Sequence, residues 1–431
     1  CGLCYNDSEG RDHVMKRWFA AVFAVLLFLP LTVSAEAVLQ MPPLFEASFL
    51  QGWFCREWSA ERWQQEFAAM KSLGFRAVIL QSAVDLTYEK TETEKPETDS
   101  SAYRLTDAAA LYPTALLPDS GEVCALGRAL QAAGETGMQL YIGTVSDSRW
   151  WNYGWGSPTS DYSDWLAENT AANLTVIREI AEQFGDEYSA QIAGFYYNNE
   201  IWNMDAACAG TDEGRTAALL AAQIRAVKDA VRGAFPGKPL LLSPFYNNTL
   251  SDAASYAAFW QAIVQKAGLG QEDIIALQDG CSRDYAPEVI RAWQSALHGA
   301  LDGRLTVWVN NETFGSDMKP VQLSWLKQDY LASSDARRHI LFSWNHYYSR
   351  LSDAAHAEFA DGFETFLDRT AGDVNGDGTT DPDDPEALSS LLGAERTALA
   401  DWCAGDLDGS GALNAADLTL LRRRIIGNTQ N

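Results

Sequence analysis

Basic residues and histidine are scarce in this chain, and several familiar chemistries leave no motif in it. Against 58 Asp and Glu stand 32 Lys and Arg, a formal charge of −26 over 431 residues. Nucleic acid is therefore excluded as a partner, since its phosphates would be repelled instead of neutralised. With 5 His and no His-x-x-x-His, there is no case for a catalytic metal. Neither a Gly-x-Ser-x-Gly elbow nor a P-loop occurs, which disfavours serine-hydrolase and nucleotide chemistry. Outside the N-terminal Cys1 and Cys4, the cysteines are Cys55, Cys124, Cys208, Cys281 and Cys403. That odd set contains no Cys-x-x-Cys, so its spacing predicts neither a zinc site nor a disulfide framework.

Long apolar runs are also missing, with one exception near the start. Met15-Lys-Arg17 supplies a basic segment, Trp18 to Val33 an apolar one, and Val33-Ser-Ala35 a small-residue cleavage site before Glu36. This pattern predicts a secretory signal within residues 1–35, with residues 1–14 upstream of the true start, and a secreted, extracellular mature protein without a membrane span.

Two aspartate-rich loops, Asp373 to Asp384 and Asp406 to Asp417, repeat one pattern near the C-terminus. A hard, large cation needs oxygen ligands at loop positions 1, 3, 5, 9 and 12, a main-chain carbonyl at 7 and a glycine at 6 for the sharp turn. The first loop offers Asp373, Asn375, Asp377, Thr379, Asp381 and Asp384 around Gly378, and the second Asp406, Asp408, Ser410, Ala412, Asn414 and Asp417 around Gly411. Two structural Ca²⁺ ions are expected, and each loop is followed by a predicted helix, Pro385 to Leu392 and Leu418 to Ile426.

These residues resemble the type I dockerin family, the calcium-dependent docking module of secreted cellulosomal enzymes. The resemblance implies a cohesin domain of a scaffoldin as partner and a plant-polysaccharide enzyme as cargo. Positions 10 and 11 differ between the loops, Pro382-Asp383 against Ala415-Ala416, and the joining segment around Trp402 and Cys403 is longer than is usual in the family.

Between residues 36 and 370, short β-rich apolar runs alternate with amphipathic helical stretches, the pattern of a parallel sheet with crossover helices. Eight strands are expected: Glu46 to Gln51, Ala77 to Gln81, Gln139 to Thr144, Gly194 to Tyr197, Leu240 to Ser243, Ile274 to Gln278, Leu305 to Val309 and His339 to Ser343. Eight βα units predict a (β/α)8 TIM barrel, followed by a small helical module from residue 371. An open doubly wound sheet is the alternative, but no Gly-x-Gly-x-x-Gly follows a first strand. Barrel chemistry sits at the C-terminal strand ends, where this chain places Asp147, Arg149, Glu200, Tyr246, Asp279, Glu312 and His346. The polar stretch from Leu86 to Gly121 follows the second strand on that face.

Glu200 ends the fourth strand and Glu312 the seventh, roughly across a closed barrel from each other. Glycosidic hydrolysis needs one carboxylic acid for the leaving oxygen and one carboxylate to attack or to activate water, about 5–5.5 Å apart for retention and about 6.5–9.5 Å for inversion. The arrangement resembles clan A of the glycoside hydrolases. That resemblance implies Glu200 as acid/base, Asn199 as donor to the sugar 2-hydroxyl, Glu312 as nucleophile and Trp344 as the platform under the reacting sugar. The whole barrel is also similar to a bacterial glycosidase-like family of unknown function. Trp53, Trp150, Trp151, Trp155, Trp202 and Trp344 cluster at strand ends, where aromatic faces stack on sugar rings. Of these, Trp53, Trp151, Trp202 and Trp344 join Tyr246 and Asp279 as the expected substrate contacts, while Asp147 and Asp279 are also alternatives for the second carboxylate. The sequence thus predicts a retaining glycoside hydrolase acting on a polysaccharide, with a non-catalytic carbohydrate-binding barrel as the alternative.

Overall fold

The structure is a computed structural model that describes residues 44–91, 99–118, 124–151, 163–203, 213–333, 336, 338–352, 357–396 and 398–428. The predicted signal segment, Trp155 and Cys208 lie outside the described residues. Among the described residues eleven strands run β1 (Ala47–Leu50), β2 (Ala77–Leu80), β3 (Val84–Lys90), β4 (Tyr103–Ala110), β5 (Gln139–Gly143), β6 (Val145–Asp147), β7 (Ile192–Tyr197), β8 (Leu240–Leu242), β9 (Ile274–Gln278), β10 (Thr306–Glu312) and β11 (His339–Phe342). Eight of them close in the order β1-β11-β10-β9-β8-β7-β5-β2, every pair parallel. All eight expected barrel strands are present, and the open-sheet alternative is excluded by the β1–β11 closure.

Residue alternation along each strand explains the two layers of core. Phe49, Ile79, Tyr141, Tyr196, Leu241, Ala276, Trp308 and Ile340 fill the barrel interior, while their neighbours Leu50, Leu80, Leu140, Phe195, Leu242, Leu277 and Leu341 join the larger core under the helices. The first of those helices, Ala60–Ser72, shows the local logic. Ser59 accepts a hydrogen bond from the Arg62 N–H, and Trp63, Phe67 and Met70 are buried on one face. Gly74 with φ 95° then turns the chain into β2. At the top of the barrel Gly143 lets two backbones meet, because a Cβ there would lie 2.0 Å from the Gln81 carbonyl oxygen.

The stretch after β2 departs from the expected loop. β3 and β4 form an antiparallel hairpin, and β3 pairs in parallel with β6 above β5, giving a three-stranded sheet on the rim. Its return to the barrel is fastened by buried Glu179, which accepts from the Tyr112 and Thr114 hydroxyls and the Ala115 N–H. The helices that follow the two aspartate-rich loops run Asp383–Leu392 and Ala415–Asn428 and share a small apolar core of Val374, Ala387, Leu388, Leu407 and Leu421. Cys55, Cys124, Cys281 and Cys403 are unpaired thiols.

Candidate active site

Glu200 follows β7 after a two-residue turn, and its main-chain carbonyl accepts from the Trp150 indole N–H at 3.1 Å. Its Oε2 accepts from Gln278 Nε2 at 3.3 Å. That amide also donates to the Ser243 carbonyl at 3.1 Å, so the glutamate leans on β9 from the end of β7. Glu312 is the last residue of β10, inside the strand and not beyond it. Ser282 grips both its oxygens: the backbone N–H donates to Oε2 at 2.8 Å and the hydroxyl to Oε1 at 3.0 Å. Both glutamates line one pocket of about 210 Å³, with Trp151, Phe245, Tyr246, Gln278, Gly280, Ser282 and Arg283.

Burial sets the protonation of the pair. It lifts the Glu200 carboxyl from 4.5 to about 7 against the weak help of Gln278. Glu312 is also raised, first by burial and then by the Asp279 charge, with Ser282 opposing and Glu200 adding. Each carboxyl is thus held closer to neutrality than a solvated one.

Strand alternation decides which expected residues reach this pocket. Tyr196 faces inward on β7, so continuing the period puts residues 198 and 200 on that side and residue 199 on the other. Asn199 accordingly donates its amide outward to Asn169 Oδ1 at 3.2 Å, Tyr197 Oη at 3.3 Å and Gln223 Oε1 at 3.1 Å. The role expected for Asn199 is therefore corrected: its donor is committed to a buried network behind the strand. Asp279 is corrected for the same reason. Gln278 lines the pocket, whereas fully buried Asp279 faces away from it. It braces the loop instead, accepting from the Cys281 N–H at 3.0 Å, the Glu312 N–H at 3.3 Å and Asn311 Nδ2 at 2.9 Å. Trp344 is buried in the main core, its backbone N–H donating to Ser48 Oγ at 2.9 Å, and it does not line the pocket.

Of the other aromatics, Trp151 is 56% exposed at the pocket wall and stacks on Trp202 at 5.8 Å, which in turn stacks on Phe245 at 5.3 Å. Trp53 is 66% exposed but stands apart from the pocket lining, against Phe54 and His346. Trp150 is buried. Tyr246 lines the pocket and donates to the Asp279 carbonyl at 2.9 Å. Asp147 and Arg149 spend their charge on each other at 2.7 Å, with Glu168 also on the guanidinium and the Tyr88 ring beneath it. The residues that sequence reasoning missed are Ser282, Arg283 and Phe245; the strand-end rule stops short of the turn Cys281–Arg283, where Ser282 lies.

The two aspartate-rich loops are shaped by hydrogen bonds from their own backbone to their acidic and amide side chains. In the first, Asp373 accepts from the Gly376, Asp377 and Gly378 N–H groups, Asn375 from Asp377 N–H, and Asp377 from both N–H and hydroxyl of Thr379. Asp381 accepts from Asp383 N–H, and Asp384 from Val374, Asn375 and Asp381. In the second, Asp408 caps Ser410 N–H, Asn414 caps Ala416 N–H, Asp417 accepts from Asp408 and Asn414, and the Ala412 carbonyl accepts from the Ser410 hydroxyl. Carboxylate oxygens of Asp406, Asp408 and Asp417 lie within 4.8 Å of one another. Asp406 Oδ1 is buried without a hydrogen-bond donor, which is what an oxygen reserved for a cation looks like.

A comparison with curated proteins returns no match. Among solved structures, a Bacteroides thetaiotaomicron VPI-5482 protein named as a candidate alpha-L-fucosidase superposes with a TM-score of 0.58 at 19% identity, over 76% of this chain and 94% of its own. The Pyrococcus horikoshii endocellulase (12% identity, 75% of this chain and 92% of its own, TM-score 0.44) is also similar. So is the catalytic domain of the major endoglucanase of Xanthomonas campestris pv. campestris (14%, 75% and 93%, 0.45). At these identities the likeness is one of fold alone, a TIM barrel. A type I dockerin domain matches residues 371–426. The family model described as "Domain of unknown function (DUF4434)" matches residues 46–355, and the chain belongs to that family.

Proposed function

We propose that the barrel hydrolyses O-glycosidic bonds of a polysaccharide with Glu200 and Glu312 as its catalytic pair. The observation that carries this reading is that the two carboxyls, one just beyond β7 and one at the end of β10, line a single pocket walled by an exposed tryptophan. Glu312 has a donor on each oxygen, the arrangement an anion needs, whereas Glu200 has one long amide contact. The difference supports Glu200 as the acid that protonates the leaving oxygen and later the base for water, with Glu312 as nucleophile in a retaining mechanism. Trp151, supported from behind by Trp202, supplies a sugar platform, and Tyr246 and Ser282 shape the floor.

Type I dockerin domains bind calcium and dock on cohesins of scaffoldins, which marks a cellulosome-type extracellular protein. No helix among the described residues is long and apolar enough to cross a membrane. In this reading the chain is secreted, holds one Ca²⁺ in each loop of residues 373–384 and 406–417, and is delivered to its substrate by a scaffoldin. The catalytic reading is tested by screening the full chain on a panel of plant and host glycans and following product anomers by NMR. Release of new reducing ends with retained configuration supports it. Glycan binding without any release assigns the barrel to carbohydrate capture alone.

A further inference from the structure

The dockerin does not sit beside the barrel as a separate body; its second calcium loop is threaded onto the barrel's N-terminal face. Arg338, immediately before β11, reaches Asp406 Oδ2 with Nη1 at 2.7 Å and the Gly409 carbonyl with Nη2 at 3.0 Å. Arg76, immediately before β2, donates to the same carbonyl at 3.3 Å. Glu46, at the start of β1, holds the two guanidinium groups together at 3.5 and 3.6 Å. Gly409 has φ 66°, a left-handed conformation that favours glycine, and a Cβ there would displace the Arg76 guanidinium. The segment between the loops is inserted next to it: Cys403 is buried with the barrel core and its thiol donates to the Ala336 carbonyl at 3.1 Å. The first loop has a looser counterpart, Lys327 Nζ lying 3.5 Å from Asp373 Oδ2 and 3.7 Å from Asp401 Oδ2.

The two oxygens of Asp406 are treated differently. Oδ2 is held by Arg338 and by the Gly411 N–H at 3.0 Å, while Oδ1 is buried without a donor. We propose that Arg338 is a positioning residue for the second calcium site, fixing the outer oxygen of Asp406 so that the inner one faces the ion, and that calcium binding and seating of the dockerin on the barrel are therefore one linked equilibrium. A partner that fixes the free oxygen of a ligating group commonly contributes about 10–100-fold in metal affinity. Electrostatics alone gives the opposite sign, because a guanidinium close to the site repels a divalent cation. The direction of the effect therefore separates positioning from mere proximity. By reciprocity, whatever affinity the barrel lends to calcium, calcium lends to the barrel–dockerin contact.

The test is calcium titration calorimetry of the full chain against Arg338→Gln. The expected result is one site weakened about tenfold or more, with the other site unchanged. Unchanged or tighter binding overturns the proposal. Arg76→Gln, which loses the Gly409 carbonyl contact and the Glu46 ion pair but leaves the Arg338–Asp406 contact in place, serves if the first variant folds poorly, and a smaller loss at the same site is expected. Hydrogen exchange on the unmodified protein gives an independent reading. Calcium should slow exchange in β11 and in the helix Leu323–Ala332 of the barrel as well as in the loops, and protection confined to residues 371–428 contradicts the linkage.

Discussion

Glu200→Gln is expected to abolish turnover and yet to make the protein more stable above neutral pH. In the folded chain burial holds this carboxyl near 7, against an ordinary value of 4.5. Between those values the folded state binds more protons than the unfolded state, so stability falls as pH rises through the interval and the whole penalty is present above it. At about 1.4 kcal/mol per pH unit the interval is worth about 3 kcal/mol. Glu200 is half-buried at the mouth of a pocket, and solvent screening reduces the figure to about 1–2 kcal/mol. The glutamine carbonyl keeps the Gln278 hydrogen bond, so the substitution removes the charge and little else. Urea unfolding of the full chain in saturating calcium, at pH 8 and pH 4.5, measures it. The variant should gain about 1–2 kcal/mol at pH 8 and about nothing at pH 4.5. Equal stability at both pH values, or an equal gain at both, refutes the claim that a desolvated, proton-holding carboxyl occupies this position.

Other outcomes follow from single contacts. Ser282→Ala removes the hydroxyl donor to Glu312 and raises that carboxyl further; since the nucleophile must be anionic, the acidic limb of the kcat/KM profile should move to higher pH, and an unmoved limb denies Ser282 its role. Trp151→Ala should weaken oligosaccharide binding by about 1 kcal/mol, roughly fivefold, while thermal unfolding stays nearly constant, because its ring is more exposed than buried. Glu179→Ala strands the Tyr112 and Thr114 hydroxyls and the Ala115 N–H, and should cost about 3 kcal/mol, with proteolysis of the segment between β4 and residue 124 as the first sign. A loss below about 1 kcal/mol means that those groups find other partners.

The barrel was legible because its strands announce themselves as short apolar runs, and the shared pocket of Glu200 and Glu312 because both stand at or just beyond strand ends on opposite sides of a closed barrel. Asn199 failed on a rule already in the sequence. Counting by twos from the interior residue Tyr196 selects Asn198 and Glu200, so a neighbour in sequence is not a neighbour in the pocket. The rim hairpin was hidden by its polarity, although Val84, Leu86 and Tyr88 alternate with Asp85, Thr87 and Glu89 as a strand must. Ser282 lies in a turn beyond β9, where strand-end reasoning stops. The grip of Arg338 on Asp406 joins residues from different modules, and no local pattern encodes a contact of that range.

The central claim is that Glu200 and Glu312 act together on one glycosidic bond. Its most direct test is the rate of reducing-end release by the full chain and by Glu200→Gln and Glu312→Gln, on whichever glycan the unmodified protein cleaves, with binding measured alongside. Both variants should lose at least about a hundredfold in kcat while still binding the glycan. Turnover by either variant at the unmodified rate contradicts the account.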